Sequence, residues 1–364
     1  MAIPSDWNIL DILRLSFTKK LSSYELVRIV SDFKSLNEMM ESSHPIRNKV
    51  FGDDLFASGN HYYDESMKQI ELAEKNNSKF VTIWDSEYPA LLKSIAYPPP
   101  ILYVKGTLQA SDSIAIAIVG TRRPSTYGKL CAERFADYFA LNNVVVVSGL
   151  AYGIDTIAHM TTVKGNGITY AVIASGIDKL SPSTSVANSD KIIETGGAII
   201  SEYKFGVSAN LSSFPQRNRI IAGISKAVLI VESAAKGGSL ITARIAFNEG
   251  RDVFAIPGNI NNKTSDGTND LIRAEAAKIA LSPQQILQDL GFDKVEFESS
   301  KKAPVFSNKS AELLYSLLSY EPLHIDALLQ KSELDISMLL VLLLELEFNG
   351  HIRQLPGKYY ILNN

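Results

Sequence analysis

The chain has 364 residues, 46% of them hydrophobic and 21% charged, with a formal net charge of −3, which leaves room for two or three cores and excludes a globally basic nucleic-acid coat. Its single cysteine, Cys131, excludes an internal disulfide framework and a cysteine-built zinc cluster. No apolar run approaches the ~20 residues of a membrane span, and the opening MAIPSDWNIL lacks the basic-then-apolar order of a secretory signal, so the expected location is the cytoplasm.

Residues 1–78 are expected to form a helical domain. Leu10, Leu13 and Leu15, then Leu26, Ile29, Val30 and Phe33, recur near helical spacing. Ser22 followed three residues later by Glu25 is a start signal for the second run. Residues 79–106 predict a short strand, a helix start at Pro89, and a second strand. Pro98-Pro99-Pro100 before that strand is a stiff extended approach, because proline fixes φ and lacks an N–H.

A strict alternation follows. Strands are predicted over 114–119, 143–148, 168–174, 197–201, 226–231 and 252–256, and helices over 126–141, 152–163, 184–195, 216–224, 238–249 and 267–276. The strands are continuous apolar runs such as VVVVS and AVLIVE, as required when helices cover both faces of a sheet. The fold class is therefore α/β, with a mostly parallel Rossmann-like sheet over 79–290. Residues 291–308 are polar and charged, a predicted linker. Residues 309–364 predict three helices (309–319, 324–330 and 335–349) and a hairpin turning at Pro356-Gly357, which describes a winged helix.

Charge is unevenly distributed. Residues 114–282 hold 17 Lys and Arg against 13 Asp and Glu, and the rest of the chain holds 19 against 26. Positive charge thus collects where the glycine-rich turns lie. The winged-helix block carries four Lys and Arg against seven Asp and Glu, too acidic for groove reading, which needs phosphate contacts from basic residues. It is expected to contact protein or to regulate the core.

Four turns carry chemistry. Gly120-Thr121-Arg122-Arg123 follows the first core strand; glycine admits a phosphate close to the backbone, the next helix adds its N-terminal partial charge, and Arg122 can hold two phosphate oxygens. The spacing is not GxGxxG and no acidic residue ends the second strand, which disfavours a dinucleotide cofactor; no cofactor is expected. In Gly149-Leu150-Ala151-Tyr152-Gly153-Ile154-Asp155, with His159 one helical turn on, no second metal ligand lies nearby, so Asp155 and His159 are expected to brace the turn and no metal is expected. Phe214-Pro215-Gln216-Arg217-Asn218-Arg219 places two arginines on different directions of one helix, one toward a ligand and one toward a carboxylate such as Glu202 or Glu232. Lys236-Gly237-Gly238-Ser239 opens another helix as an anion site; it is not a Walker loop. Arg244 and Arg251 add to this positive set.

With these residues in view, the chain resembles the DNA-processing protein A family. VGTRRP, SGLAYGIDTIAH, SEY, FPQRNRIIAG, GGSLITA and GRDVFAIPG occur in the family's order, and the similarity runs from Tyr88-Pro89 to Leu271-Ile272. The N-terminal helices are similar in character to the family's small helical, SAM-like domain, and the C-terminal block looks like its winged helix. The resemblance implies a non-enzymatic protein that binds single-stranded DNA, protects it, dimerises through the Rossmann-like domain and loads RecA recombinase during natural transformation. It makes Arg122, Arg217, Asn218, Lys236, Gly238 and Ser239 the DNA-contact candidates, with Gly120, Gly149, Gly153 and Asp155 shaping the loops. Four departures stand out. Ser181-Pro182 replaces Tyr-Pro, Ser185 stands where a nearby asparagine is expected, Gly237 replaces a common serine, and Lys204 replaces a common proline, as either an added phosphate contact or a solvated lysine.

Two alternatives belong to other classes. One is a nucleotide-binding or nucleotide-hydrolysing enzyme of the lysine-decarboxylase-like type, where Arg244 falls on the position of the catalytic glutamate. The other is a winged-helix transcription factor with a sensor domain, which the acidic C-terminal block disfavours.

Overall fold

A computed structural model of the chain describes residues 6–18, 21–46, 50, 61–109, 113–180, 185–292, 306, 308–319 and 322–362. The predicted linker, apart from its two ends, and Ser181-Pro182 lie outside the described residues. Among the described residues no helix is long and apolar enough to cross a membrane.

Among the described residues the N-terminal helices include α1 (Ile9–Phe17), α2 (Ser23–Asp32), α3 (Leu36–Glu41) and α4 (His61–Lys75). Ser22 caps α2 in the reciprocal capping box with Glu25 that the spacing predicts. Their apolar faces enclose Trp7, Ile12, Leu13, Ile29 and Met39, and this cluster continues onto Trp84 and Ile101 of the sheet edge. Lys204 decides part of that junction. Its ammonium donates to Glu65 of α4 at 2.6 Å and lies 5.2 Å from the Phe17 ring centre. An aromatic ring and a carboxylate on the N-terminal helices thus hold its ammonium, while the side chain stays part-exposed. Beside it, the Phe205 amide donates to the Gln69 side chain at 2.8 Å.

The central sheet has nine strands: β1 (Ser78–Thr82), β2 (Ile101–Gly106), β3 (Ala115–Val119), β4 (Val145–Ser148), β5 (Thr169–Ile173), β6 (Ala198–Ser201), β7 (Ala227–Ile230), β8 (Asp252–Ala255) and β9 (Lys278–Ile279). Their order is β1-β2-β6-β5-β4-β3-β7-β8-β9. From β6 to β9 every pairing is parallel, and β1 and β2 add an antiparallel edge. Neither that edge pairing nor β9 is visible in the sequence pattern; β9 is two residues long.

Strand alternation places Val145 and Val147 of β4 in one core layer and Val144 and Val146 in the other. One layer packs on α5 (Thr126–Leu141), α6 (Ile154–Lys164) and α11 (Pro283–Asp289). The opposite layer packs on α8 (Ser213–Ile224), α9 (Ser239–Asn248) and the 3-10 turn Ala90–Ser94. The remaining helices are α7 (Ser185–Glu194) and α10 (Asp266–Arg273). Proceeding from β3, the chain adds strands outward to β6 and then returns to lay β7 on the other side of β3. That reversal opens a crevice outside the carboxyl ends of β3 and β7, where α/β sheets hold ligands.

The C-terminal unit is α12 (Lys309–Leu317), β10 (Leu323–His324), α13 (Ile325–Ser332), α14 (Ile336–Phe348), β11 (Ile352–Leu355) and β12 (Tyr359–Leu362). Its sheet order β10-β12-β11 adds a short third strand to the predicted hairpin, completing a winged helix. Arg353 of β11 donates to Glu133 of α5 at 2.7 Å.

Candidate nucleic-acid interface

The loops after β3 and β7 meet over the crevice. The β3 loop carries Gly120 to Arg123 into the α5 cap, where Ser125 accepts from the Gly128 amide. Buried Glu232, just past β7, ties the two loops together by accepting from the Ser125 amide at 2.8 Å and from the Thr264 hydroxyl. Three adjoining cavities of about 380, 640 and 130 Å³ open along this edge, and Arg122 lines all three. Its guanidinium is exposed and lies 5.6 Å from the Phe214 ring centre.

The 380 Å³ cavity gathers Arg122, Arg217, Asn218, Gly238 and Ser239 from three separate motifs. The Ser239 hydroxyl is buried and has no hydrogen-bond partner among the described residues, although it lines the cavity. An unpaired polar atom in such a place costs free energy unless a ligand or water meets it. Lys236 is exposed and does not line this cavity. It stands on the same loop, at the rim.

Arg217 lines two of these cavities from a buried position. It is 5% exposed, and its guanidinium donates to the Gly149 carbonyl at 2.7 Å, to the Val172 carbonyl, and through Nε to Asn218 at 3.1 Å. One side chain on α8 thereby clamps the carboxyl ends of β4 and β5. Burial lowers its pKa to about 10, offset in part by the Asp155 charge. Gly149 is required by this clamp, because an added Cβ would stand 2.7 Å from the Arg217 guanidinium. Arg219 faces away and pairs with Glu202, one of the two carboxylates its motif makes available. Arg251 lies at the opposite, amino end of β8 and donates to the Leu91 carbonyl and the Ser94 hydroxyl. It braces the 3-10 turn and is no part of the positive edge.

Asp155 accepts from the Gly149 and Ala151 amides at 3.1 and 3.4 Å, which fixes the turn ahead of α6. Burial raises its carboxyl above the ordinary value, opposed by Arg217 and those amides. His159 has its Nδ1 2.7 Å from the Thr169 hydroxyl, which itself donates to Val146. Nδ1 must therefore be the donor, leaving Nε2 a buried bare acceptor. Burial and the Arg217 charge lower the pKa of His159 to about 3. Gly153, at φ +81°, has no space for a Cβ against the Thr121 carbonyl and the Arg122 backbone, so this turn seats the Arg122 loop.

Three residues outside the DNA-contact candidates join this edge. Arg123, Lys129 and Tyr152 line the 640 Å³ cavity with Arg122, and all are exposed. The signal for Tyr152 was its place in a glycine turn, where a large ring has no core to fill. Among the described residues, no carboxylate lies within ion-pair distance of Arg122, Arg123, Lys129 or Lys236. No group of three or more His, Cys, Asp or Glu among them is placed to hold a metal.

Comparison with known proteins places the chain, not the edge itself, beside known relatives. The family model described as DNA recombination-mediator protein A matches residues 79–291, and that of the DprA winged helix domain matches 300–358. The chain is 36% identical to Protein Smf of Escherichia coli over 283 residues, covering 76% of this chain and 75% of that protein. It is 41% identical to the DNA processing protein DprA of Streptococcus pneumoniae over 58% of this chain and 74% of that one. Among solved structures, DNA processing protein A from Streptococcus pneumoniae superposes with a TM-score of 0.55 at 32% identity, over 79% of this chain and 94% of that one. DNA processing protein A from Helicobacter pylori, described for its single-stranded DNA binding mode, gives 0.53 at 30% identity, over 59% of this chain and 97% of that one.

The geometry separates scaffold from surface in a way unfolding experiments can read. Arg217→Ala leaves two buried carbonyls and Asp155 without their cation and should lower unfolding free energy by roughly 3–5 kcal/mol. Arg122→Ala should stay within about 0.5 kcal/mol of the parent in the same denaturant titration. Equal stability of the two variants would remove the clamp.

His159 gives a pH signature. Its folded pKa lies below the ordinary 6.5, so the unfolded chain takes up the proton first and stability is lost as pH falls from about 6.5 toward about 3. The slope from this group approaches ~1.4 kcal/mol per pH unit. His159→Gln should flatten that slope; an unchanged slope would mean that other groups set it.

Proposed function

The chain belongs to the DNA recombination-mediator protein A family, and from that premise we propose that the crevice edge holds single-stranded DNA through its phosphates. The observation that carries this reading is Arg122, an exposed cation without a carboxylate partner at the junction of three cavities. Cavities aligned along a sheet edge exceed one nucleotide and suit a strand. Arg123, Lys129 and Lys236 extend the positive track, and exposed Tyr152 and half-buried Phe214 on the crevice wall offer π-faces to bases. The unsatisfied Ser239 hydroxyl at the start of α9 supplies a donor for a phosphate oxygen. Asn218 and the Gly238 backbone contribute from the same wall, while Arg217 acts through the loops it clamps.

Beyond binding, the protein protects the strand and delivers it to RecA recombinase, working as a homodimer in the cytoplasm without catalysing a covalent step. Membership of a family of recombination mediators supports this; natural transformation is the setting in which such delivery serves uptake. The domains follow the division at about residues 78 and 290, with the sheet unit as the DNA-binding part.

Fluorescence anisotropy of a labelled oligonucleotide of ~30 nucleotides, with matched duplex as competitor, tests the reading. Binding should weaken steeply with salt and resist the duplex. Arg122→Ala should weaken binding to all sequences alike and reduce the log–log salt slope by about 0.7, the share of one phosphate contact on a single strand. Gly238→Ala is the second probe. An added Cβ there meets no atom within 4 Å, so the fold tolerates it, and weaker binding would report a strand close to that backbone. Full affinity in both variants would move the strand off this edge.

A further inference from the structure

The winged helix carries a surface that the crevice reading does not use. Helix α14 has the sequence ISMLLVLLLELEF, and only one side of it is needed for the core: Leu339, Leu342, Leu343 and Leu346 are buried. The opposite side is apolar as well. Ile336, Leu340, Leu344 and Phe348 recur every four residues, with Val341 beside them, and all are exposed; Val341, Leu344 and Phe348 reach 62%, 68% and 90%. Thirteen residues at 1.5 Å rise make a stripe about 20 Å long. Isolated exposed apolar residues are ordinary, whereas a continuous stripe on a monomer marks a contact.

Its place in the fold and its charges narrow the contact. α14 is the second helix of the α13–α14 pair, the one that enters a major groove in helix-turn-helix proteins. Here it has no Lys or Arg, and Glu345 flanks the stripe near its C-terminal end. DNA is thereby excluded as its occupant. A second copy is disfavoured by the same charges. Paired antiparallel, two α14 helices bring Glu345 and Glu347 of one toward Glu333 and Asp335 of the other, and paired parallel they set each acid beside its twin. We propose that this stripe docks an amphipathic helix of another protein, one with a row of large apolar residues bordered by Lys and Arg. The acidic rim then selects partners as well as orienting them.

The test uses the full chain and three labelled synthetic helices of ~18 residues, built from Leu and Lys, Leu and Glu, or Ser and Lys. The Leu/Lys helix should bind saturably at micromolar concentration and the other two should bind at least tenfold more weakly. The double variant Leu344→Asn, Phe348→Asn should lose at least tenfold in affinity for the Leu/Lys helix, and Glu345→Lys at least threefold, with oligonucleotide binding unchanged in both. Leu/Lys binding that is absent, or equal in parent and variants, overturns the proposal. So does sedimentation in which the parent is a dimer and the double variant a monomer, or phosphatidylcholine vesicles that bind the parent and not the variant. Should the double variant fail to fold, Glu345→Lys decides alone, and undiminished affinity overturns the proposal.

Discussion

A single buried guanidinium organises the crevice. Arg217 reaches from α8 to the carbonyls at the ends of β4 and β5 and takes its electrostatic balance from Asp155, which itself holds the turn before α6. A charge removed from water is tolerated only when its donors are all met, and several kcal/mol ride on that condition. The loops at this edge are therefore fixed relative to one another before any ligand arrives. Preorganisation of this kind reduces the ordering cost that binding would otherwise bear.

The positive residues of the sheet unit divide into two groups with opposite uses. Arg217, Arg219 and Arg251 are tied to carbonyls, a hydroxyl and a carboxylate, and they hold helices and loops in place. Arg122, Arg123, Lys129 and Lys236 have no carboxylate within reach among the described residues and face the open edge. Apart from Lys129, both groups come from the same glycine- and arginine-rich motifs. The second makes a local positive track on a chain whose net charge is −3, which favours binding confined to one edge.

The flanking units are attached by sparse polar ties over different kinds of surface. Lys204 and Gln69 fasten the N-terminal helices to the sheet unit beside an apolar cluster shared through Trp84 and Ile101. On the other side, Arg353 reaches Glu133. A surface ion pair contributes little by itself, so the winged helix keeps its own core, centred on Leu314, Leu328 and Leu342.

Sequence by itself determined the alternation of strands and helices, because a buried parallel strand must be apolar on both faces and a helix must resume its 3.6-residue period after each glycine turn. Every predicted core strand is present within two residues of its expected limits, and Ser22 with Glu25 announced the start of α2. It also named the turns that form the crevice, since glycine and helix-start residues mark where a backbone can approach an anion. What only the tertiary structure decided is which charged groups face the solvent. Arg217 and Arg219 are two residues apart on one helix, and their fates depend on carbonyls and a carboxylate supplied by β4, β5 and the end of β6, far away in the chain. Lys204 shows the same limit: its partners, Glu65 and Phe17, lie more than a hundred residues earlier. Local pattern records the energetics of a segment, whereas the burial of a charge is settled by partners that only folding brings within hydrogen-bonding reach.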